Sequence, residues 1–151
     1  MKILVTVGTG QFNSLVNLFD TYCNHDFTIQ HGGGQAPKIQ LGYPFIPNLV
    51  NEFDKYDLII THAGAGTIFN LLKTKKAFCV FPNQERHDLH QLELAKYVDE
   101  NKFAPVYYES DIEYDIISMF RKAKFCAENR NYQGGSFNLP KLMELLNFND
   151  K

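Results

Sequence analysis

Short runs of β-branched and other apolar residues alternate along the chain with stretches whose apolar positions recur every three or four residues. The change of period marks the elements. Ile3 to Val7 is the first run; it stops at Gly8-Thr9-Gly10, after which Phe12, Leu15, Val16 and Phe19 recur at helical spacing. This predicts strand, glycine turn, helix. Leu58 to Thr61, the small-residue run His62-Ala63-Gly64-Ala65-Gly66, and Thr67 to Leu72 repeat the same shape. Ala77 to Phe81 reads as a buried strand ended by Pro82, and a helix from about Leu89 to Asn101 precedes another short strand at Ala104 to Tyr108. Strands apolar nearly throughout, alternating with amphipathic helices, indicate an α/β fold with a parallel sheet covered on both faces.

The remaining segments fill in this plan. Phe27 to Gln30 predicts a strand followed by a loop from His31 to Pro37, and Ile39 to Phe45 a short extended segment. A helix is expected at about Leu49 to Lys55, with Asn48 as its N-cap. Ile112, Ile116, Phe120 and Ala123 form one face of a helix capped by Asp111, and Leu139, Leu142, Leu145 and Leu146 suggest a last helix after Gly134-Gly135-Ser136. No linker, low-complexity tract or fixed-period repeat interrupts the chain. Its 151 residues are expected to form a single domain over residues 1–151. A domain of that size buries about two-thirds of its surface, so neither disulfides nor a metal is needed for stability.

Charge and cysteine usage narrow the function. Fifteen Lys and Arg against seventeen Asp and Glu give a net charge of -2, which argues against nucleic acid as a partner. The three cysteines, Cys23, Cys79 and Cys126, are odd in number, far apart and outside any C-x-x-C, which is cytosolic usage. Met1-Lys2 leads into only five apolar-type residues before Gly8, too few for a signal-peptide core, and no stretch approaches 18 consecutive apolar residues. A cytoplasmic protein with neither export signal nor membrane span is expected.

In an open α/β sheet, ligands bind beyond the carboxyl ends of the strands, where glycine turns let backbone N–H groups approach phosphate at a helix N-terminus. Gly8 to Gln11, Thr61 to Thr67 and Pro82 to Gln91 fall there. The first is no dinucleotide fingerprint, because the third glycine is replaced by Asn13, and no Walker A loop exists in the chain. Gly8-Thr9-Gly10 could simply make a tight turn. In His62-Ala63-Gly64-Ala65-Gly66-Thr67 no bulky side chain blocks the opening of the helix and Thr67 adds a hydroxyl, which suits either a close helix–strand contact or a phosphate. In the third segment, His87 and His90 with Glu85 or Asp88 match no metal-ligand spacing of firm geometry, so no metal is expected. Gln91 follows Asp88 at capping-box spacing and either folds back on its own helix or, with His90, presents hydrogen-bonding groups to sugar hydroxyls. Cys79, inside an apolar strand, and Cys126 look inert, and no G-x-S-x-G elbow is present.

Three motifs follow one another along the chain: Val5-Thr6-Val7-Gly8-Thr9, Asp57 to Thr67, and Pro82-Asn83 followed by His90-Gln91-Leu92-Glu93-Leu94-Ala95. Over about residues 2 to 108 they resemble the family-28 glycosyltransferase C-terminal domain. The likeness is greatest to the stand-alone catalytic halves of two-component glycosyltransferases of dolichol-linked glycan assembly and of bacterial capsular and exopolysaccharide synthesis. The resemblance implies a Rossmann-like sheet with helices on both faces, forming one half of a GT-B glycosyltransferase. It assigns UDP binding to Gly8, Thr9, Gly10, His62, Ala63, Gly64, Ala65, Gly66, Thr67 and Asn70, and sugar binding to Asn83, His90 and Gln91. Asn70 stands where members often have a carboxylate that grips the ribose, and Lys75-Lys76-Ala77 where glycine, lysine and proline are common.

The implied protein is the UDP-sugar-binding catalytic subunit of an inverting enzyme adding a hexose or N-acetylhexosamine to a lipid-linked glycan acceptor. No cofactor or metal is expected, because backbone donors and a helix dipole can stabilise the leaving UDP. The acceptor site and general base would come from a membrane-anchored partner subunit, so no catalytic residue is assigned on this chain, which would sit peripherally at the membrane through that partner. Phe137, Leu139, Leu142, Leu145, Leu146 and Phe148 are the candidate docking segment. The alternative is a non-catalytic nucleotide-sugar-binding or regulatory subunit.

Overall fold

The structure is a computed structural model that describes residues 1–85, 89–109 and 114–133. Five parallel strands form its sheet: β1 (Lys2–Thr6), β2 (Asp26–Gln30), β3 (Leu41–Tyr43), β4 (Leu58–His62) and β5 (Phe78–Phe81), in the order β3-β2-β1-β4-β5. The order in which strands are added to the sheet reverses between β1 and β4, which pair in parallel with Val5 opposite Ile60 and Thr6 opposite Thr61. That reversal opens the crevice in which doubly wound sheets hold ligands.

The near-continuous apolar runs divide between the two faces because side chains alternate along a strand. Ile3, Val5, Phe27, Ile29, Leu58, Ile60, Cys79 and Phe81 share one core with Leu15, Val16 and Phe19 of α1 (Asn13–Asp20) and Ile116, Met119 and Ala123 of α5 (Ile116–Asn129). Leu4, Ile59, Phe78 and Val80 face the other core, with Ile68, Leu71 and Leu72 of α3 (Ala65–Leu72) and Leu94, Ala95 and Val98 of α4 (His90–Glu100). Between β3 and β4 lies α2 (Leu49–Glu52), continued by a 3₁₀ turn at Phe53–Lys55.

Four sequence expectations change. Ala104 to Tyr108 forms no strand: a single parallel bridge joins Val106 to Val80, and Pro105, which has no N–H to give, contributes only its carbonyl to Val80 N–H at 2.9 Å. The helix expected at Leu49 to Lys55 is one α-turn followed by a tighter one. Asn48 does precede that helix, yet its backbone is left-handed (φ 52°) and its side chain caps nothing; asparagine is there for the turn out of Pro47. The cap of α5 is Asp115, whose carboxylate accepts from Ile117 N–H at 3.1 Å. Asp111 and Ile112 lie outside the described residues, as do His87, Asp88 and the segment from Phe137 to Phe148.

Candidate functional site

The glycine turn after β1 is held by a residue outside every motif. Gln30, at the end of β2 and 4% exposed, accepts on Oε1 from the Thr6 hydroxyl (2.6 Å), Val7 N–H (3.2 Å) and Gly8 N–H (3.1 Å). Its Nε2 donates to the carbonyls of Gly8 and Pro44, both at 2.8 Å. The Gly8 N–H is therefore taken, and the value of Gly8 lies in its shape: its φ of 73° is left-handed, and a Cβ there would come within 2.7 Å of His62 Nε2. The loop after β2 closes over the same turn, with Gly33 N–H donating to Gly10 O at 3.0 Å and Asn13 Oδ1 accepting from Gln35 N–H at 2.9 Å. Of this turn, Thr9 is exposed and Gly10 half-buried.

Two helices start beside the crevice, and a protein carboxylate meets the first turn of only one of them. Ser14, in the first turn of α1, donates from both N–H and hydroxyl to Glu85 Oε1 at 3.0 and 2.6 Å, so a carboxylate of the protein already caps that dipole. At α3 the N-cap is Gly64, the first bond inward runs from Ile68 N–H to Gly64 O at 3.0 Å, and no described acceptor receives the N–H groups of Ala65, Gly66 or Thr67. Gly66 is exposed, with nothing within 4 Å of where a Cβ would stand. Asn70 follows one turn later on the same helix, half-buried.

His62 ends β4 and is buried between the two turns, its imidazole so close to Gly64 that a Cβ there would overlap Nε2. Beside it, Gly8, Thr9, Gly32, Phe45, Ile46 and Thr67 are among the residues lining a recess of about 300 Å³. Phe45 and Ile46 carry the apolar wall, and the sequence motifs do not reach them; the sequence placed Phe45 only at the end of a short extended segment.

The third motif turns out to brace the other two. Gln91, 7% exposed, accepts on Oε1 from Ala63 N–H (3.1 Å) and Asn83 N–H (2.9 Å), joining the β4–α3 turn to the β5–α4 turn. Two backbone donors fix which end of the amide is oxygen, and Nε2 has no partner among the described residues. Gln91 is thus no capping-box residue: α4 begins at His90 with Leu89 as its N-cap. Asn83 is also committed, donating from Nδ2 to Gln11 O at 2.8 Å and accepting on Oδ1 from Glu85 N–H at 3.0 Å. His90 stands half-buried at the first position of α4. The bracing makes a prediction: Gln91→Ala, which strands two buried N–H groups, should cost about 2 kcal/mol in urea denaturation. Gln91→Glu, which keeps an acceptor, should cost less than half of that.

Cys79 is buried in β5 and burial pushes its thiol well above the ordinary range; burial also raises Cys126. Neither is poised as a nucleophile. Among the described residues no three His, Cys, Asp or Glu side chains converge as a metal site, and no helix is long and apolar enough to cross a membrane.

Comparison with known proteins bears on this arrangement. The glycosyltransferase family 28 C-terminal domain model matches residues 2–134. The chain is 32% identical over 73 residues to the UDP-N-acetylglucosamine transferase subunit ALG13 of Candida albicans, a stretch covering 48% of this chain and 25% of that protein. Among solved structures, MurG of Acinetobacter baumannii superposes with a TM-score of 0.68 at 19% identity, over 97% of this chain and 52% of that one. The solution structure of ALG13 does so with a TM-score of 0.54 at 23% identity, over 96% and 94% of the two chains. The fold is that of one Rossmann-like half of a GT-B glycosyltransferase.

Proposed function

The chain belongs to the glycosyltransferase family 28 C-terminal domain family, and from that premise we propose that it is the UDP-sugar-binding catalytic subunit of an inverting two-component glycosyltransferase. The observation that carries this reading is the pair of glycine turns meeting across His62 at the β1–β4 crevice, beside the open N-terminus of α3. The diphosphate lies against Thr9, Gly10 and the N–H groups of Ala65, Gly66 and Thr67. Gly8 and Gly64 contribute closeness to His62, the base enters the recess beside Phe45 and Ile46, and Asn70 reaches the ribose as a neutral hydrogen-bonding group. The β5–α4 turn, with Asn83, His90 and the Nε2 of Gln91, faces the sugar.

In the reaction, an acceptor hydroxyl attacks the anomeric carbon, the bond from that carbon to the β-phosphate oxygen breaks, and the hydroxyl proton passes to a base on the partner. Charge grows on the departing UDP, where the α3 dipole and its N–H groups are already aimed. They supply the stabilisation that makes a metal unnecessary. The transferred group is a hexose or N-acetylhexosamine and the acceptor a lipid-linked glycan, presented by a membrane-anchored chain in polysaccharide or glycan synthesis. Asn70 favours a second reading, a nucleotide-sugar-binding subunit without catalysis, since the neutral side chain weakens the grip on ribose.

Thermal unfolding with nucleotides tests the site. UDP should raise the melting temperature of the purified chain more than AMP does at equal concentration. Equal protection by the two would count against uridine recognition, and protection by neither would sink the site. Transfer tests the partner: the chain alone should bind UDP yet transfer negligibly, and co-expression with the acceptor-binding chain should restore turnover. A complex with full UDP affinity and no turnover would leave the binding-subunit reading.

A further inference from the structure

Away from the crevice, exposed apolar and cationic side chains converge at one place. Beyond the β5 edge, where the end of α4 meets α5, Pro105, Phe125 and Cys126 line a recess of about 410 Å³ that Lys102, Arg121 and Lys122 also line. α5 buries Ile116, Met119, Ala123 and Ala127 against the sheet, yet leaves Phe125 66% exposed. Ile117, 41% exposed, and Arg121 precede Phe125 at one-turn intervals, so the three follow one outward stripe. No described carboxylate pairs with Lys102, Arg121 or Lys122, and Asp99 is the one acidic residue among those lining the recess. The chain as a whole carries a net charge of -2, so this gathering of cations is local and does not follow from composition.

From this juxtaposition we propose that the recess and its rim dock the protein directly on an anionic phospholipid membrane. Phe125 enters the boundary between headgroups and acyl chains, and Lys102, Arg121 and Lys122 face the lipid phosphates. Charge sign and side-chain chemistry select this occupant. Long cationic side chains that no described carboxylate holds suit a diffuse negative surface, whereas a fixed acidic peptide calls for oriented donors. An aromatic ring standing out among cations is the pattern of interfacial anchoring. The contact lies past β5, and the crevice lies between β1 and β4, so lipid here leaves the nucleotide site open. The inference stands on this patch alone and survives or fails separately from the UDP-sugar reading.

Sedimentation of the full chain with phosphatidylcholine vesicles, with and without phosphatidylserine, tests it. The protein should sediment only with the anionic vesicles and be released by high salt. Arg121→Glu with Lys122→Glu should weaken vesicle binding by at least about twenty-fivefold, since each cation near such a surface contributes about fivefold. Phe125→Ser should weaken it by about tenfold. Lys102→Asn removes a third charge at a backbone position whose φ of 55° asparagine accepts readily, which guards against a misfolded variant. All variants should keep the melting temperature and its UDP-dependent rise. Absence of binding, equal binding to both vesicle types, or charge reversal without effect would each overturn the proposal, whatever happens to UDP binding.

Discussion

Replacing Gly66 by valine is expected to leave the fold as stable as before and to abolish protection by UDP. Gly66 sits in the first turn of α3, exposed, with nothing within 4 Å of an added Cβ. The Cβ of a valine there has open space around it, and helix propensity favours valine over glycine by a few tenths of a kcal/mol. What it does meet is the volume directly before the free N–H groups of Ala65, Gly66 and Thr67. With UDP at about 100 times its Kd, the unmodified chain gains about 2.7 kcal/mol of apparent stability. For a domain of this length that is a rise of roughly 5 to 10 °C in Tm. The variant should show none of it. Gly64→Val is the poorer probe, because its side chain would collide with His62 and disturb both glycine turns at once, confusing lost binding with lost structure. A Gly66→Val protein that still gains its full rise with UDP would falsify the placement of the diphosphate at α3.

The choice between those two glycines shows what the sequence made legible. Small residues at a strand-to-helix turn are a local signal, so Gly8-Thr9-Gly10 and His62 to Thr67 could be read directly, and the apolar runs that flank them located β1, β4, α1 and α3 within a residue or two. Which glycine faces open space and which faces His62 is set by packing between the two turns, 54 positions apart at Gly8 and His62. Gln30 was invisible for the same reason: a glutamine at a strand end gives no local pattern, and its partners at Thr6, Val7, Gly8 and Pro44 come together only when β1, β2 and β3 align. Gln91 was noticed, but its capping-box alternative gave it the wrong backbone partners. Its spacing from Asp88 suggested its own helix, whereas its oxygen bridges two other turns through partners 28 and 8 residues away. In each case the partner is distant in sequence, and a local pattern carries no information about it.

Arg130 is the most consequential residue that no pattern announced, and its replacement should be the most damaging to stability. It follows α5 and is 7% exposed, with its guanidinium carbon 4.7 Å from the centre of the Phe78 ring. Nε donates to Phe103 O at 3.1 Å, Nη1 to Thr74 O at 2.8 Å and Leu71 O at 3.4 Å, and Nη2 to Lys76 O at 3.3 Å. One planar fork thereby satisfies carbonyls from the end of α3, the turn before β5 and the segment after α4. Burial depresses its pKa to about 10, still high enough to keep the charge at neutral pH. Arg130→Met fills much of the same volume but strands these carbonyls in a low-dielectric interior, so a loss of about 3 to 5 kcal/mol is expected in urea denaturation. Arg130→Lys should recover little of it, because a single ammonium cannot reach acceptors spread over three segments in the geometry of a fork. The site lies at the far end of α3 from the open N–H groups of Ala65, Gly66 and Thr67. Calorimetry below the unfolding transition should therefore find the UDP affinity of the folded Arg130→Lys protein within about twofold of the original, a difference of less than 0.5 kcal/mol. A much larger loss of affinity at retained stability would mean that Arg130 acts through the orientation of α3 instead of through the carbonyls it satisfies.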